Sequence, residues 1–365
     1  MKKLLFNPGP TNVSENVRSA LKTNDICHRE SEFFNVLANV RKNLLKVVNG
    51  EGTHTVVAFV SSGTGCNEAV ISSIHGKILL INNGKYAQRM SSIAKMYRIP
   101  FVEVIFDPMK AVDVDKVEET LMNNPDVTHM LFVHHETTTG MLAPLHELCE
   151  VARKYNVISH ADTISSLGGY KIDLQEDQLD FCTVSANKCL QSFPGVSFVI
   201  ARRSEIEKLE GKSRNFYFDL HGQWKVEETS SQTPFTPAVQ LFFAVNKAIE
   251  ELLEEGVDAR IKRQTENAAY MRKGLRELGY KFLLPEDMQS RILTSMHLPK
   301  EMDYWKIHDL LKERGFTIYS SPGTLGKGIF RVATLGHLFK KDIKKFLINF
   351  KEIMDEVDFD PKKVG

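Results

Sequence analysis

Short apolar runs alternate with amphipathic stretches from residue 52 to about residue 200, and this alternation constrains the fold more than any other feature. The runs are of strand length and the amphipathic stretches have helical spacing. Strands are predicted at 55–60, 77–82, 101–105, 129–134, 157–161, 181–185 and 196–201. Helices are predicted at 67–73, 87–97, 114–123 and 145–155. The pattern predicts an α/β fold with a mainly parallel, seven-stranded sheet covered by helices on both faces.

The pattern changes after residue 236. Two long helical stretches, 237–255 and 257–278, are separated by Gly256. Short strands near 281–284, 292–297 and 329–332 are then interspersed with helices at 305–314 and 340–355. This order predicts a smaller α+β domain at the C-terminal end, with a boundary near Gly256.

Composition excludes several classes of protein. Lys plus Arg is 47 and Asp plus Glu is 46, whereas a dedicated nucleic-acid binder needs a surplus of basic residues. No apolar run approaches the roughly 20 residues of a membrane span, and the N-terminal apolar stretch is too short for a signal peptide. The five cysteines lack CxxC spacing. We therefore predict a cytoplasmic protein with free thiols and no nucleic-acid or membrane partner.

Polar residues follow several of the predicted strands, at the edge where open parallel sheets bind ligands. The segment SSGTG at 61–65 precedes a helix and suits a bound phosphate, although a plain turn is the commoner meaning of such a segment. Asp162 follows the strand at 157–161 and is either a ligand of a positive group or a helix N-cap. Lys188 follows the strand at 181–185. If it is buried, it is a nucleophilic amine suited to Schiff-base chemistry; otherwise it is an exposed loop lysine.

Two further groups admit more than one interpretation. His134, His135, Glu136 and His160 contain metal-ligating atoms. However, adjacent histidines on a strand point to opposite faces, so we predict no metal. We favour instead a ligand that is contacted by the hydroxyl groups of the threonines at 137–139. Arg331 stands alone in an apolar strand, where it would bind a carboxylate or phosphonate or form a structural ion pair.

Together these residues describe a phosphate cradle, a carboxylate for a ring nitrogen, a Schiff-base lysine and an anion-binding arginine. This combination fits pyridoxal 5′-phosphate, whose usual protein partners are a lysine and an acidic residue.

Short motifs along nearly the whole chain carry a family resemblance. They are NPGPT at 7–11, HRESEF at 28–33, NGKYAQR at 83–89, ETTTGM at 136–141, SSLGG at 165–169 and SANKC at 185–189. On these motifs the chain resembles the class V aminotransferases of fold-type I, which depend on pyridoxal phosphate. The resemblance implies a large cofactor-binding domain at 16–255 and a small domain at 256–365, with residues 1–15 contributing to the small domain and the active site. It also implies a homodimer with shared active sites.

The resemblance implies roles for the cofactor-binding residues. Lys188 would form the Schiff base and then move the proton, and Asp162 would keep the pyridine nitrogen protonated. The cofactor phosphate would be held by Ser62, Gly63 and Thr64.

Three more contacts with the cofactor follow from the same resemblance. Tyr86 would stack on the ring, with Met96 as the alternative, and Thr137 would bond the ring hydroxyl. Thr236 would reach the phosphate in the neighbouring subunit, with Thr233 as the alternative.

The substrates are suggested by SANKC together with SR at 213–214, DL at 219–220 and QW at 223–224, which resemble the phosphonate branch of the family. That branch transfers the amino group of 2-aminoethylphosphonate to pyruvate, giving phosphonoacetaldehyde and L-alanine. Arg331 would bind the carboxylate of pyruvate or alanine and, in the other half-reaction, the phosphonate.

Three alternatives remain open. One is an alanine–glyoxylate or serine–pyruvate aminotransferase of the same family. A cysteine desulfurase would need a catalytic cysteine in the small domain, and no cysteine follows Cys189. The third is a non-catalytic protein that keeps the fold.

Overall fold

The structure is a computed structural model that describes residues 3–298, 303–320 and 328–357. The strands are β1 (Leu4–Leu5), β2 (His54–Phe59), β3 (Lys77–Asn82), β4 (Phe101–Ile105), β5 (Val127–Val133), β6 (His135–Glu136), β7 (Met141–Leu142), β8 (Ile158–Asp162), β9 (Phe181–Ser185), β10 (Ser197–Arg202), β11 (Leu293–His297), β12 (Phe316–Thr317), β13 (Tyr319–Ser320) and β14 (Ile329–Ala333). The helices are α1 (Glu15–Ser19), α2 (Ser31–Val47), α3 (Gly63–Ser72), α4 (Lys85–Met96), α5 (Val114–Met122), α6 (Leu145–Lys154), α7 (Arg203–Ile206), α8 (Leu220–Ser230), α9 (Val239–Glu255), α10 (Val257–Glu277), α11 (Tyr304–Glu313) and α12 (Lys340–Glu356). None of the described helices combines the length and apolar character that crossing a bilayer requires.

A seven-stranded sheet has the order β2-β10-β9-β8-β5-β3-β4. All neighbouring strands are parallel except β10, which is antiparallel to both β2 and β9. The prediction of a mainly parallel, seven-stranded sheet is therefore confirmed. Since β2, β3, β5, β8 and β9 all run in one direction, the segments that follow them meet at one edge of the sheet.

Alternating side chains of each strand reach the two faces of this sheet, as the two-residue repeat of a strand requires. On one face, Val56 and Ala58 of β2 pack in the cluster that holds the buried side of α2. On the other face, Val57 and Phe59 of the same strand pack with residues of α3. Both faces are covered, which explains why the strands read as continuous apolar runs.

A second, smaller apolar cluster lies among the C-terminal elements. The antiparallel sheet β11-β14-β13 packs with α10, α11 and α12 around buried aromatic rings that include Phe330, Phe346 and Phe350. Strand β1 pairs in parallel with β12, and Phe6 is buried in the same cluster. The first residues of the chain therefore pack with its C-terminal elements.

The structure departs from the predicted elements at several places. The expected strand at 281–284 is reduced to one bridge between Phe282 and Met296. Helix α3 begins at Gly63, four residues before its predicted start at Asn67. Four helices were not predicted, namely α1, α2, α7 and α8, and neither were the two-residue strands β1, β6, β7, β12 and β13.

Candidate active site

A cavity of about 180 Å³ lies at the edge of the large sheet where the parallel strands end. Six residues predicted for the site line it: Ser62, Gly63, Thr64, Tyr86, Asp162 and Lys188. The cavity is also lined by residues that the sequence analysis gave no role, among them Arg89 and Ile164. The fold thus brings together segments that are more than a hundred residues apart in the chain.

The segment at 61–65 is the start of a helix rather than a plain turn. Ser62 is the N-cap of α3, and its side chain makes no capping hydrogen bond. The first amide groups of a helix have no partner within the helix, and together with the helix dipole they attract anions. A Cβ atom at Gly63 would lie 2.4 Å from Cδ1 of Ile164, so a larger residue there would require the Ile164 side chain to move. This geometry suits a bound phosphate.

Asp162 is buried at the end of β8, and both of its carboxylate oxygens accept hydrogen bonds. Oδ1 accepts from the backbone N–H of Ile164 at 3.0 Å, and Oδ2 accepts from Nδ2 of Asn67 at 2.7 Å. Burial raises the pKa of Asp162, while these two hydrogen bonds lower it. No helix begins after Asp162, so the N-cap interpretation is wrong.

Asn67 is a residue of the site that the sequence analysis missed. Its Oδ1 atom accepts a hydrogen bond of 2.7 Å from the hydroxyl of Thr183. An ionised carboxylate only accepts hydrogen bonds, so the amide nitrogen of Asn67 faces Asp162 and its oxygen is left to accept from Thr183. The two hydrogen bonds, from Thr183 to Asn67 and from Asn67 to Asp162, therefore fix the orientation of the Asp162 carboxylate.

Lys188 follows β9 and is half-buried, with its amine against the N-terminal segment. Nζ donates a hydrogen bond of 2.5 Å to the carbonyl oxygen of Pro8, and a Cβ atom on Gly9 would lie 2.5 Å from Nζ. Burial lowers the pKa of Lys188 to about 8. The interpretation as an exposed loop lysine is therefore wrong, and the amine is partly unprotonated near neutral pH.

Tyr86 is positioned by a buried carboxylate, that of Glu136. Oε2 of Glu136 accepts from the backbone N–H of Tyr86 at 3.0 Å, while Oε1 accepts from the N–H and the hydroxyl of Thr138. Burial raises the pKa of Glu136. Glu136 thus ties the start of α4 to the segment 136–138, a role that the sequence analysis missed. Met96, the alternative to Tyr86, is 78% exposed and does not line the cavity.

Arg331 and Thr137 are joined to each other, and neither is among the residues that line the cavity. The charge of Arg331 nevertheless lowers the pKa of Lys188. Nη1 of Arg331 donates to the carbonyl oxygen of Thr137 at 2.8 Å, and Nη2 donates to that of Ser320 at 2.6 Å. Nε of Arg331 and the hydroxyl oxygen of Thr137 are buried without a hydrogen-bond partner among the described residues. Arg331 forms no ion pair within the described ranges, so the structural ion pair has no partner there.

The adjacent histidines differ from their predicted arrangement. Strand β5 ends at Val133 and β6 begins at His135, so the chain turns between them. The rings of His134 and His135 both lie beside Tyr170, with centroids 5.9 and 5.5 Å away. The expectation that they point to opposite faces is therefore wrong. Burial lowers the pKa of His134 to about 3 and that of His135 to about 4, which keeps both rings neutral.

In the part of the chain that the structure describes, no group of three or more His, Cys, Asp or Glu side chains is arranged to hold a metal ion. Of the threonines near residue 235, Thr233 is buried and its hydroxyl donates to the carbonyl oxygen of Phe235 at 2.7 Å. Thr236 is exposed and does not line the cavity that holds Lys188.

Residues 5–327 match the family model described as aminotransferase class-V. The chain belongs to the class-V aminotransferase family. The chain is similar to the 2-aminoethylphosphonate–pyruvate transaminase of Bacteroides fragilis (strain YCH46). The two sequences are 38% identical, and the alignment covers 98% of this chain and 99% of the relative. The transaminase of the same name from Vibrio cholerae serotype O1 is 35% identical, and the match covers 94% of this chain and 95% of the relative.

Among solved structures, the ureidoglycine–glyoxylate aminotransferase of Bacillus subtilis has a TM-score of 0.90 to this class-V chain at 20% sequence identity. The match covers 100% of this chain and 96% of that one. It confirms the predicted fold class.

Proposed function

We propose that this class-V aminotransferase uses pyridoxal 5′-phosphate to transfer the amino group of 2-aminoethylphosphonate to pyruvate, giving phosphonoacetaldehyde and L-alanine. The observation that carries the proposal is the placement of Lys188 and the hydrogen-bonded carboxylate of Asp162 in one cavity. The names of the relatives from Bacteroides fragilis and Vibrio cholerae support the two substrates.

The residues of the cavity fit this cofactor. The start of α3 offers amide groups to a phosphate, and Gly63 leaves the Ile164 side chain in contact with that turn. Asp162 offers a buried carboxylate to a protonated ring nitrogen. Thr137 does not line the cavity, but its buried hydroxyl has no hydrogen-bond partner among the described residues, which supports a contact with the ring hydroxyl. Tyr86, which lines the cavity, offers an aromatic face to the ring. When bound, the cofactor supplies a ring that accepts the electron pair left when a proton is removed beside the amine.

Lys188 and Asp162 act on protons in this proposal. The lowered pKa of Lys188, about 8, leaves part of the population with a free amine that attacks a carbonyl carbon. The same amine removes and returns the proton at the reacting carbon. Asp162 holds a proton on the ring nitrogen, and Asn67 keeps the carboxylate aimed at it.

Arg331 is the proposed substrate-binding residue. Its two terminal nitrogens are held by the carbonyl oxygens of Thr137 and Ser320, so the guanidinium has a fixed position. A guanidinium binds a carboxylate or phosphonate through paired N–H groups. Arg331 would therefore hold the phosphonate of the amine donor in one half-reaction and the carboxylate of pyruvate in the other.

A panel of amine donors with pyruvate as acceptor tests the function. We expect alanine to form with 2-aminoethylphosphonate and not with serine. Alanine formation from serine alone would favour a serine–pyruvate aminotransferase. Lys188→Ala should abolish turnover and Asp162→Ala should leave a folded but very slow enzyme. Full activity in the first variant would contradict the proposal.

We also propose a cytoplasmic homodimer with a large domain at 16–255 and a small domain at 256–365. Free thiols at all five cysteines support the location. The exposed Thr236 is free to reach the cofactor phosphate of a partner subunit, which supports shared active sites. The pairing of β1 with β12 supports a contribution of residues 1–15 to the small domain. The mass measured by light scattering tests the dimer.

A further inference from the structure

Arg89 is a positive charge at the cavity that the proposed function does not use. Of the described residues that line the cavity, Arg89 and Lys188 are the cationic ones. Arg89 forms no ion pair with any described acidic residue. It lies on the exposed side of α4. A cation without an acidic partner at the mouth of a cavity is free to bind an anionic ligand.

Two contacts direct Arg89 toward the start of α3. Nη1 donates a hydrogen bond of 3.0 Å to the hydroxyl oxygen of Thr64. Its guanidinium carbon lies 5.0 Å from the centroid of the Tyr86 ring, which is cation–π distance. Thr64 belongs to the first turn of α3, so the charge is held beside the unpaired amide groups of that turn.

The charge balance of the phosphate site favours a role for this residue. A phosphate ester carries a charge of about −2 near neutral pH, whereas a helix N-terminus contributes only about +0.5. Lys188 is reserved for covalent attachment to the cofactor. Arg89 is the remaining cation among the described lining residues, and its charge lowers the pKa of both Asp162 and Lys188.

We propose that Arg89 binds the phosphate group of the cofactor, with its guanidinium held in place by Thr64 and the Tyr86 ring. The inference rests on the proposed function, since it requires pyridoxal phosphate in this cavity. The phosphonate of the amine donor has the same anionic chemistry. Arg331 is held by Thr137 and Ser320, whereas Arg89 is held by Thr64, so the two arginines serve different parts of the site.

The test compares pyridoxal phosphate with pyridoxal, which lacks the phosphate. Apoprotein carrying Arg89→Gln is titrated with each compound, and the Kd is measured from the absorbance of the bound ligand. Loss of a charge-assisted hydrogen bond should weaken pyridoxal phosphate by about tenfold or more. At a pH well above 8, where Lys188 is unprotonated in both proteins, pyridoxal should bind within about twofold of wild type, because it lacks the phosphate that would contact this charge. Arg89→Lys keeps the charge and should show a smaller loss for pyridoxal phosphate.

Lys95→Gln is the matched control, because it removes one positive charge from the exposed side of the same helix outside the cavity. It should bind both compounds as wild type does. Equal weakening of both compounds by Arg89→Gln would overturn the inference in favour of a structural role. An unchanged Kd for pyridoxal phosphate with a raised KM for 2-aminoethylphosphonate would overturn it in favour of the substrate. Wild-type protein that binds neither compound would overturn the proposed function, and this inference with it.

Discussion

The Nδ2 atom of Asn67 donates a hydrogen bond of 2.7 Å to Oδ2 of Asp162, which joins helix α3 to the end of strand β8. The same helix begins at Gly63 in the proposed phosphate site. Asn67 therefore connects the residue proposed to hold the ring nitrogen with the element proposed to hold the phosphate. The distance between these two parts of the cofactor is fixed, so a rigid link between their binding residues is useful for positioning.

Asn67→Ala should shift the pH dependence of turnover. Burial raises the pKa of Asp162 and the Asn67 hydrogen bond lowers it, so the variant should have a still higher pKa there. Because the ionised carboxylate is the active form, the acid limb of kcat/KM should move upward by about one pH unit. The measurement is a pH profile of kcat/KM for both proteins.

Thr183→Val provides a graded comparison, since it removes only the hydroxyl that orients Asn67. Its acid limb should move in the same direction by a smaller amount. An unchanged acid limb in Asn67→Ala, at unchanged thermal stability, would show that the hydrogen bond does not tune Asp162.

The sheet was predictable because strands buried on both faces form continuous apolar runs. The predicted bounds of β3, β4 and β9 agree with the structure. Helix α2 was also within reach, because its buried residues Phe33, Val36, Leu37 and Val40 have helical spacing. Helix α8 could not be predicted in this way, because Gly222 and the polar residues Thr229 and Ser230 at its C-terminal end weaken the helical pattern.

The site was predictable only where a residue follows a strand. Asp162 is the last residue of β8 and Lys188 lies three residues after β9, so their meeting follows from the parallel sheet. Asn67, Glu136 and Arg89 act through contacts between different elements. Those contacts depend on how each helix is placed against the sheet, and no periodicity of the sequence records that placement.

The amine of Lys188 should react with pyridoxal phosphate over an unusual pH range. Burial lowers the pKa of Lys188 from 10.5 to about 8, and the nucleophile is the unprotonated amine. The rate at which apoprotein captures the cofactor should therefore rise with pH through an inflection near 8 and then level off. Stopped-flow absorbance measures this rate. An inflection near the ordinary lysine value would mean that the amine is solvated and that its contact with Pro8 does not persist in solution.

Gly9→Ala should impair Lys188 directly. The φ of Gly9 is +139°, and an added Cβ would lie 2.5 to 2.8 Å from the Nζ, Cε and Cδ atoms of Lys188. The side chain of the lysine or the segment around Pro8 must then move. We expect capture of the cofactor to slow by about tenfold or more, since displacement by about 1 Å can cost that much or more in a positioned reaction.

Gly52→Ala separates this contact from backbone strain. Gly52 has φ +80°, and a Cβ added there meets no atom within 4 Å. Both variants should lose thermal stability through an unfavourable backbone conformation, by about 1 kcal/mol. Only Gly9→Ala should slow cofactor capture. Equal capture rates in the two variants would contradict the close approach of Gly9 to Lys188.

Two side chains of α8 complete the hydrogen bonding of β2, an edge strand of the large sheet. Glu227 accepts from the backbone N–H of Ala58 with both carboxylate oxygens at 3.2 Å, and Gln223 donates to the carbonyl oxygen of Ala58 at 3.0 Å. At Ala58 they supply the two hydrogen bonds that a neighbouring strand would otherwise make. This arrangement leaves the carboxyl group of Glu227 fully buried, and burial raises its pKa to about 8.

Glu227→Gln should change how stability depends on pH. Between 4.5 and about 8 the folded protein holds the Glu227 proton and the unfolded chain does not, so wild-type stability should fall as pH rises through this window. The loss has an upper limit of about 5 kcal/mol. The glutamine variant should lack this decline, which thermal unfolding at several pH values would detect.

Glu228→Gln is the matched control, because hydrogen bonds from Arg203 and Arg41 outweigh burial and hold the pKa of Glu228 below its usual value. Its stabilisation is present above about pH 4.5 and is lost only in acid. The charge of Glu228 is the smallest contributor to the raised pKa of Glu227, so the control should keep most of the wild-type decline. If Glu227→Gln shows a decline as large as that of the wild type, Glu227 is not its source.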